Sequence, residues 1–280
     1  MVLGPQQRLD VDDPGCRDEQ LVRQLADRLR GPIAWYFRPD IRGLDAVPDG
    51  PCLFVGNHNG GMLMPDMFIL GLALYDRFGL EGLPWGLTHR LALRIPWLGT
   101  TLLRLGTVRG TSQNGLRLLR AGRRALVYPG GELDSMRSYR ERKQVVFGHR
   151  RGYVRLALRA DVPIVPVVTA GAHETLVVLS NGRWLARQLG LDKRYNLFAF
   201  PLTLSIPWGL WLGVPPPHVP LRTRIRMQLL PPIRFDRAGE EAAQDRAYVE
   251  ACHRRVHGLM QQTLERLAEG LEIDQELQTP

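Results

Sequence analysis

The stretch Val55-Gly56-Asn57-His58-Asn59-Gly60-Gly61-Met62-Leu63-Met64-Pro65-Asp66 decides how this chain is read. The apolar run Cys52 to Val55 reads as a short buried strand that stops at Gly56. The chain then delivers Asn57 and His58 into a polar loop, passes a glycine pair, and reaches Pro65-Asp66 ahead of the apolar segment Met67 to Tyr75. Proline is tolerated in the first turn of a helix, and the helix dipole favours an acidic residue there. The order is strand, loop with histidine, helix start with aspartate. A histidine at a strand end, with a carboxylate able to reach it, is a general base with its orienting partner.

On either side of that stretch strands alternate with helices. Asp18 to Arg30 carries Leu21, Leu25 and Leu29 at helical spacing and is followed by the aromatic cluster Trp35-Tyr36-Phe37. Residues 1 to 16 look loose, and Ile41 to Val47 reads as an edge strand. Trp85 to Thr88 is a strand ahead of a helix from about Leu91, and Ser112 N-caps a helix through Leu119 that Gly122 closes. Ala125 to Tyr128 is a strand, Arg150 to Arg159 a helix, and the β-branched run Val162 to Val168 a central buried strand. Arg222 to Leu230 alternates Arg with apolar residues, as a strand with one wet face does. Ala242 to Leu267 places Val249, Cys252, Val256, Leu259 and Met260 on one helical stripe. The pattern predicts an α/β fold: a mixed, mostly parallel central sheet flanked by helices on both faces, with an N-terminal amphipathic helix. Residues 1–45 are expected to form an arm with that helix, and residues 46–280 a single α/β domain.

Composition narrows the setting. The 280 residues are 44% hydrophobic and 23% charged, an ordinary globular balance. The net charge is +9, and only Lys143 and Lys193 among the basic residues are lysines. Such an excess favours an anionic membrane surface or a phosphate-bearing ligand, if it is more than biased codon usage. No nucleic-acid motif accompanies it, so nucleic acid is not an expected partner. Cys16, Cys52 and Cys252 are far apart and odd in number, which points to a reducing cytoplasm rather than a disulfide framework. The N-terminus lacks the apolar core of a signal peptide. Tyr195 to Leu221 is uncharged, and Leu197 to Val214 is mostly apolar. Prolines 201 and 207 argue against a spanning helix there and favour a strand plus an apolar loop that dips into a bilayer surface, with a plain core strand as the bland alternative.

Further constellations follow His58 in order. Gly106-Thr107-Val108-Arg109 ends in a cation able to clamp a phosphate or carboxylate. Val127-Tyr128-Pro129-Gly130-Gly131-Glu132 leaves backbone N–H groups unshielded, able to cradle a phosphate or an oxyanion. In Phe147-Gly148-His149-Arg150-Arg151-Gly152-Tyr153, cations at a helix entrance oppose the dipole and call for an anion or a carboxylate. Val162-Pro163-Ile164-Val165-Pro166 is mainly structural and leads on to Glu174, a candidate partner for Arg151 or Tyr128.

This succession resembles the glycerolipid (lysophospholipid) acyltransferase superfamily. That family carries an Asn-His motif with a downstream Asp, a Gly-to-Arg motif, a Pro-Glu-Gly motif and a Val-Pro-Ile-Val-Pro motif. Their counterparts are Asn57-His58 with Asp66, Gly106 to Arg109, Pro129-Gly130-Gly131, and Val162 to Pro166. Two features depart from the pattern. Seven residues separate His58 from Asp66, a longer spacer than the family's usual one, and Gly130 stands where the family has glutamate. The Pro-Gly-Gly is more similar to the diacylglycerol-acyltransferase-like branch, which esterifies neutral acceptors.

The resemblance implies an O-acyltransferase of the membrane surface. His58, oriented by Asp66, would take the proton of a lipid hydroxyl. That oxygen would attack the thioester of acyl-CoA or acyl-carrier protein, with no metal and no cofactor. Asn57, Arg109, Gly130, Gly131, Glu132 and Arg151 are the expected substrate-binding residues. A catalytically inactive membrane-surface lipid-binding protein of the same fold is the main alternative. A metal-dependent hydrolase using His58 and Asp66 as ligands is a weaker one.

Overall fold

Strand alternation builds the molecule as three layers. The computed structural model describes residues 9–61, 63–195, 198–213 and 215–276. Its strands are β1 (Asp40–Arg42), β2 (Leu53–Gly56), β3 (Trp85–Thr88), β4 (Thr107–Arg109), β5 (Ala125–Val127), β6 (Ile164–Ala170), β7 (Val177–Ser180), β8 (Leu202–Ser205), β9 (Gly209–Leu212) and β10 (Arg226–Leu229). The helices are α1 (Glu19–Phe37), α2 (Pro65–Phe78), α3 (Arg90–Arg94), α4 (Pro96–Arg104), α5 (Ser112–Arg120), α6 (Glu132–Ser135), α7 (Gly152–Ala160), α8 (Arg183–Gln188), α9 (Leu191–Tyr195), α10 (Gly239–Gln244) and α11 (Arg246–Glu276).

The central sheet runs β1-β10-β6-β2-β5-β3-β4. Pairs from β6 to β4 are parallel, β10 is antiparallel to β6, and β1 is parallel to β10. In β2, Leu53 and Val55 point to one layer, packed with Tyr153, Leu156, Val249 and Val256 of α7 and α11. Phe54, with Cys52 just before the strand, points to the other, packed with Val22 and Phe37 of α1 and Ile69, Leu70 and Leu74 of α2. One short strand thus supplies both cores, and β6 is buried at every position. The mixed, mostly parallel α/β sheet with an N-terminal helix is the one expected.

Several boundaries differ from the sequence reading. α1 continues past Arg30, through Pro32, to Phe37. The N-cap of α5 is Thr111, whose side chain accepts from Asn114 N, and not Ser112. The stripe Ala242 to Leu267 is two helices parted at Asp245, and Leu259 faces solvent. The division at residue 45 does not separate two bodies: β1 is an edge strand of the central sheet, and α1 packs in its core. Residues 1–8, at the start of the expected loose arm, lie outside the described residues, as do Met62, Leu197 and Val214. Among the described residues no helix is long and apolar enough to cross a membrane. The Tyr195 to Leu221 stretch instead holds β8 and β9, which join β7 in a separate three-stranded antiparallel sheet.

Candidate active site

The site forms where β2, β5 and β6 end. Beyond the last β2–β6 pair, Gly56 with Val167, the side chain of Asn57 continues the ladder. Its Nδ2 donates to Thr169 O at 2.9 Å, and its Oδ1 accepts from Thr169 N at 2.8 Å. Gly60 and Gly61 then turn the chain at positive φ, 67° and 62°. A Cβ on Gly60 would lie 3.0 Å or less from Pro65 Cδ, Thr175 Oγ1 and Ala172 O, so only glycine lets the loop seat here.

Asp66 opens α2 with Pro65, as read from the sequence, and is almost fully buried. Its carboxylate accepts from Asn59 Nδ2 and from Met67 N, both at 3.0 Å. His58 is only partly buried, but its Nδ1 is enclosed with no hydrogen-bond partner. The expected direct bond from His58 to Asp66 is therefore not formed, and Asn59 occupies the carboxylate instead. Burial pushes Asp66 up to about 7, against the pull of the Asn59 and Met67 donors. Burial, helped by the Arg137 charge, depresses His58 to about 4, so its imidazole is neutral at physiological pH. Tyr128 stacks on the imidazole, with ring centroids 4.8 Å apart and planes at 28°. Gly56 makes room for that ring, since a Cβ there would lie 2.4 Å from Tyr128 Cε1.

The pair that fixes His58 went unread in the sequence. Asp134 and Arg137 are fully buried and bonded to each other at 3.1 Å. Asp134 Oδ2 accepts from His58 N at 2.6 Å, while Arg137 Nη1 donates to His58 O at 2.8 Å. Arg137 Nη2 donates to Asn59 Oδ1 at 2.7 Å and to Arg142 O at 3.0 Å, and Nε donates to Glu141 O at 3.1 Å. Burial raises the Asp134 carboxyl, opposed by Arg137 and by the backbone donors of His58 and Val146. His173 accepts a place under the same arginine, with Nε2 3.0 Å from Arg137 O. The available signal was an Asp and an Arg three apart just after Pro-Gly-Gly.

The other expected site residues are distributed differently. Arg109, on the outermost strand β4, forms a two-pronged ion pair with Asp12, which Asn114 Nδ2 also holds at 2.5 Å. Arg151 pairs with Glu250 of α11 at 2.7 Å, and Arg150 with Glu132 at 2.7 Å. The cations at the α7 entrance thus meet carboxylates, but these are the protein's own. Glu174 lies 3.7 Å from Arg142, and holds neither Arg151 nor Tyr128. Gly131 N donates to Tyr128 O at 3.1 Å, so it is not a spare oxyanion donor. Gly130 sits tightly against Asp134 and Val146 O, where a Cβ would come within 2.5 Å of both.

An apolar cleft of about 140 Å³ lies against α2, and Met67, the residue after Asp66 in the chain, is one of its walls. Met67, Phe68 and Gly71 of α2, Leu25 and Leu29 of α1, and Leu102 of α4 are among its walls. Burial pushes the Cys52 thiol up to about 12, so it cannot serve as a nucleophile at neutral pH. Among the described residues no three His, Cys, Asp or Glu side chains are grouped to hold a metal ion.

A sequence-family model described as Acyltransferase matches residues 38–170. An uncharacterized protein of Mycobacterium tuberculosis is 29% identical over 89% of this chain and 66% of its own length. The human "DGAT1/2-independent enzyme synthesizing storage lipids" is 26% identical over 71% of this chain and 60% of its own. The chain therefore spans about two thirds or less of either relative. The crystal structure of the 1-acyl-sn-glycerophosphate (LPA) acyltransferase PlsC from Thermotoga maritima aligns with a TM-score of 0.52 at 16% identity, covering 88% of this chain and 79% of that one. The fold is shared with that structure.

Proposed function

From the match of residues 38–170 to the acyltransferase family model, we propose that the chain moves a fatty acyl group from a thioester to a lipid hydroxyl. The donor is acyl-CoA or acyl-carrier protein, and the acceptor is a glycerolipid or lysophospholipid at the cytoplasmic surface of a membrane. One observation supports the reading: a neutral histidine with Nδ1 enclosed, on the loop that leads into α2, whose Met67, Phe68 and Gly71 line an apolar cleft.

With Nδ1 inside the protein, Nε2 is the nitrogen left to meet a substrate hydroxyl. It takes the hydroxyl proton as the oxygen attacks the thioester carbon. The tetrahedral oxyanion collapses, the C–S bond breaks, and the leaving thiolate takes the proton back from the imidazolium. No acyl-enzyme forms. Because Gly131 N is already bonded, the oxyanion donors are assigned to the Asn57–Gly61 loop. Asp66 acts across Asn59 rather than by direct contact, and its negative charge favours the imidazolium. A CoA phosphate would have to displace Asp12 from Arg109 and Glu250 from Arg151, so the proposal gives that role to neither.

Thiol release from palmitoyl-CoA, screened with lysophosphatidate, lysophosphatidylcholine and diacylglycerol, tests the reading. Release should depend on an acceptor, and His58→Ala should lower it by about 10²–10⁴-fold. An alanine variant working at the parent rate removes His58 from the mechanism. A parent protein that binds lipid but releases no thiol with any acceptor supports the inactive lipid-binding alternative.

A further inference from the structure

The sheet β7-β8-β9 is built inside out. Leu204 lies opposite Leu210 and Val177, and Leu202 opposite Leu212, so these side chains share one face. That face points to solvent: Leu204, Leu210 and Leu212 are 48%, 63% and 55% exposed, and Leu179 of β7 is 51% exposed. Polar residues are on the opposite face, where Thr203 and Ser205 are buried beside Val178. A half-buried strand in water shows the reverse order, apolar in and polar out. The β8–β9 turn adds exposed Ile206 and Trp208.

We propose that this sheet is the membrane-inserting element, with its leucine face among acyl chains and its flanking cations at anionic headgroups. The charge pattern selects a bilayer over a protein partner. Residues 177–224 hold six Lys or Arg and one Asp, more than half of the chain's net +9. The cations bracket the uncharged hairpin: Arg183, Arg187, Lys193 and Arg194 precede it, and Arg222 and Arg224 follow. Of the six tryptophans, Trp184, Trp208 and Trp211 are exposed within this unit. Trp35 is exposed beside it, with the Arg222 guanidinium 4.9 Å from its ring centroid. Tryptophan beside arginine around an apolar patch suits the headgroup boundary. A four-residue strand spans only about 13 Å, under half of a hydrocarbon core, so the sheet enters one leaflet and does not cross.

Its placement deepens the functional proposal, on which this one clause rests: a lipid acceptor reaches His58 from the surface that the sheet enters. β7 follows β6 through the turn His173–Thr175. Thr175 and Leu176 in that connection pack against Gly60 and Gly61 of the histidine loop.

Cosedimentation with phosphatidylcholine vesicles, with and without phosphatidylglycerol, tests the insertion. The double variant Leu210→Glu with Leu212→Glu should bind at least about tenfold more weakly, since a buried charge opposes entry. Its circular dichroism and melting temperature should match the parent, because both side chains face solvent. Arg183→Ala with Arg187→Ala should weaken binding to the anionic vesicles alone. Brominated acyl chains should quench parent tryptophan emission. Vesicle binding by the double glutamate variant as tight as the parent's overturns the proposal. So does a parent dimer in sedimentation equilibrium that the glutamates dissociate, which would mean a second copy covers the face. Thiol release from a short-chain thioester without vesicles reads catalysis separately. A protein inactive there but bound to vesicles sinks only the catalytic proposal.

Discussion

Both backbone polar groups of His58 are tied to one buried ion pair, its N–H to Asp134 and its C=O to Arg137. Removing the guanidinium would leave the buried Asp134 carboxylate without its counter-charge and take a donor from Asn59 Oδ1 and from the carbonyls of His58, Glu141 and Arg142. Arg137→Met should therefore destabilise the fold by about 3–5 kcal/mol, seen as a lowered denaturation midpoint in urea. In whatever fraction stays folded, kcat should fall more than KM rises, because the histidine is displaced but the apolar cleft is not. Asp66 sets the pH response. Its carboxyl is pushed up to about 7, while His58 is already neutral above about 4. If ionised Asp66 is needed, kcat/KM should climb as pH rises through about 7. A limb near 4 would assign the control to His58 alone. The stability sign is opposite. Between its ordinary 3.8 and about 7, Asp66 holds a proton that the unfolded chain has released, so its contribution to stability is lost as pH rises through 7.

Elements were legible where their own residues decided them. β2 and β6 announce themselves as apolar runs between breakers, and Pro65-Asp66 marks the start of α2. The Asp134–Arg137 pair was not legible, because Asp134 finds the His58 backbone 76 residues away and its short turn has no periodicity. The Arg109 and Arg151 partners were hidden for the same reason: Asp12 and Glu250 are distant in sequence. The break before α11 was missed because the apolar stripe runs past it. There Asp245 accepts from Tyr248 N at 3.0 Å and pairs with Arg237 at 2.8 Å. Asp245→Ala should cost about 1 kcal/mol, a melting shift of about 2–4 °C by calorimetry. Within α2, Gly71 lines the apolar cleft, and a Cβ there meets nothing within 4 Å. Gly71→Leu should keep the fold and improve helix propensity. It should also cut activity on long-chain thioesters relative to short ones by about tenfold or more, read by comparing their kcat/KM.

At the scale of the whole molecule, the His58 loop and the leucine-faced sheet stand at one end of the central sheet, where β2, β5 and β6 finish. The first and the last of the described strands are neighbours: β1 pairs only with β10, and β10 also covers the edge of β6. On a ribosome, then, β6 and β1 must both wait until residue 229 has emerged before either is covered. A chain released at residue 225 would keep the histidine loop, yet leave an open parallel edge as a template for its neighbours. Such a fragment should collect in the pellet, so emergence of β10 is the step that closes the sheet edge.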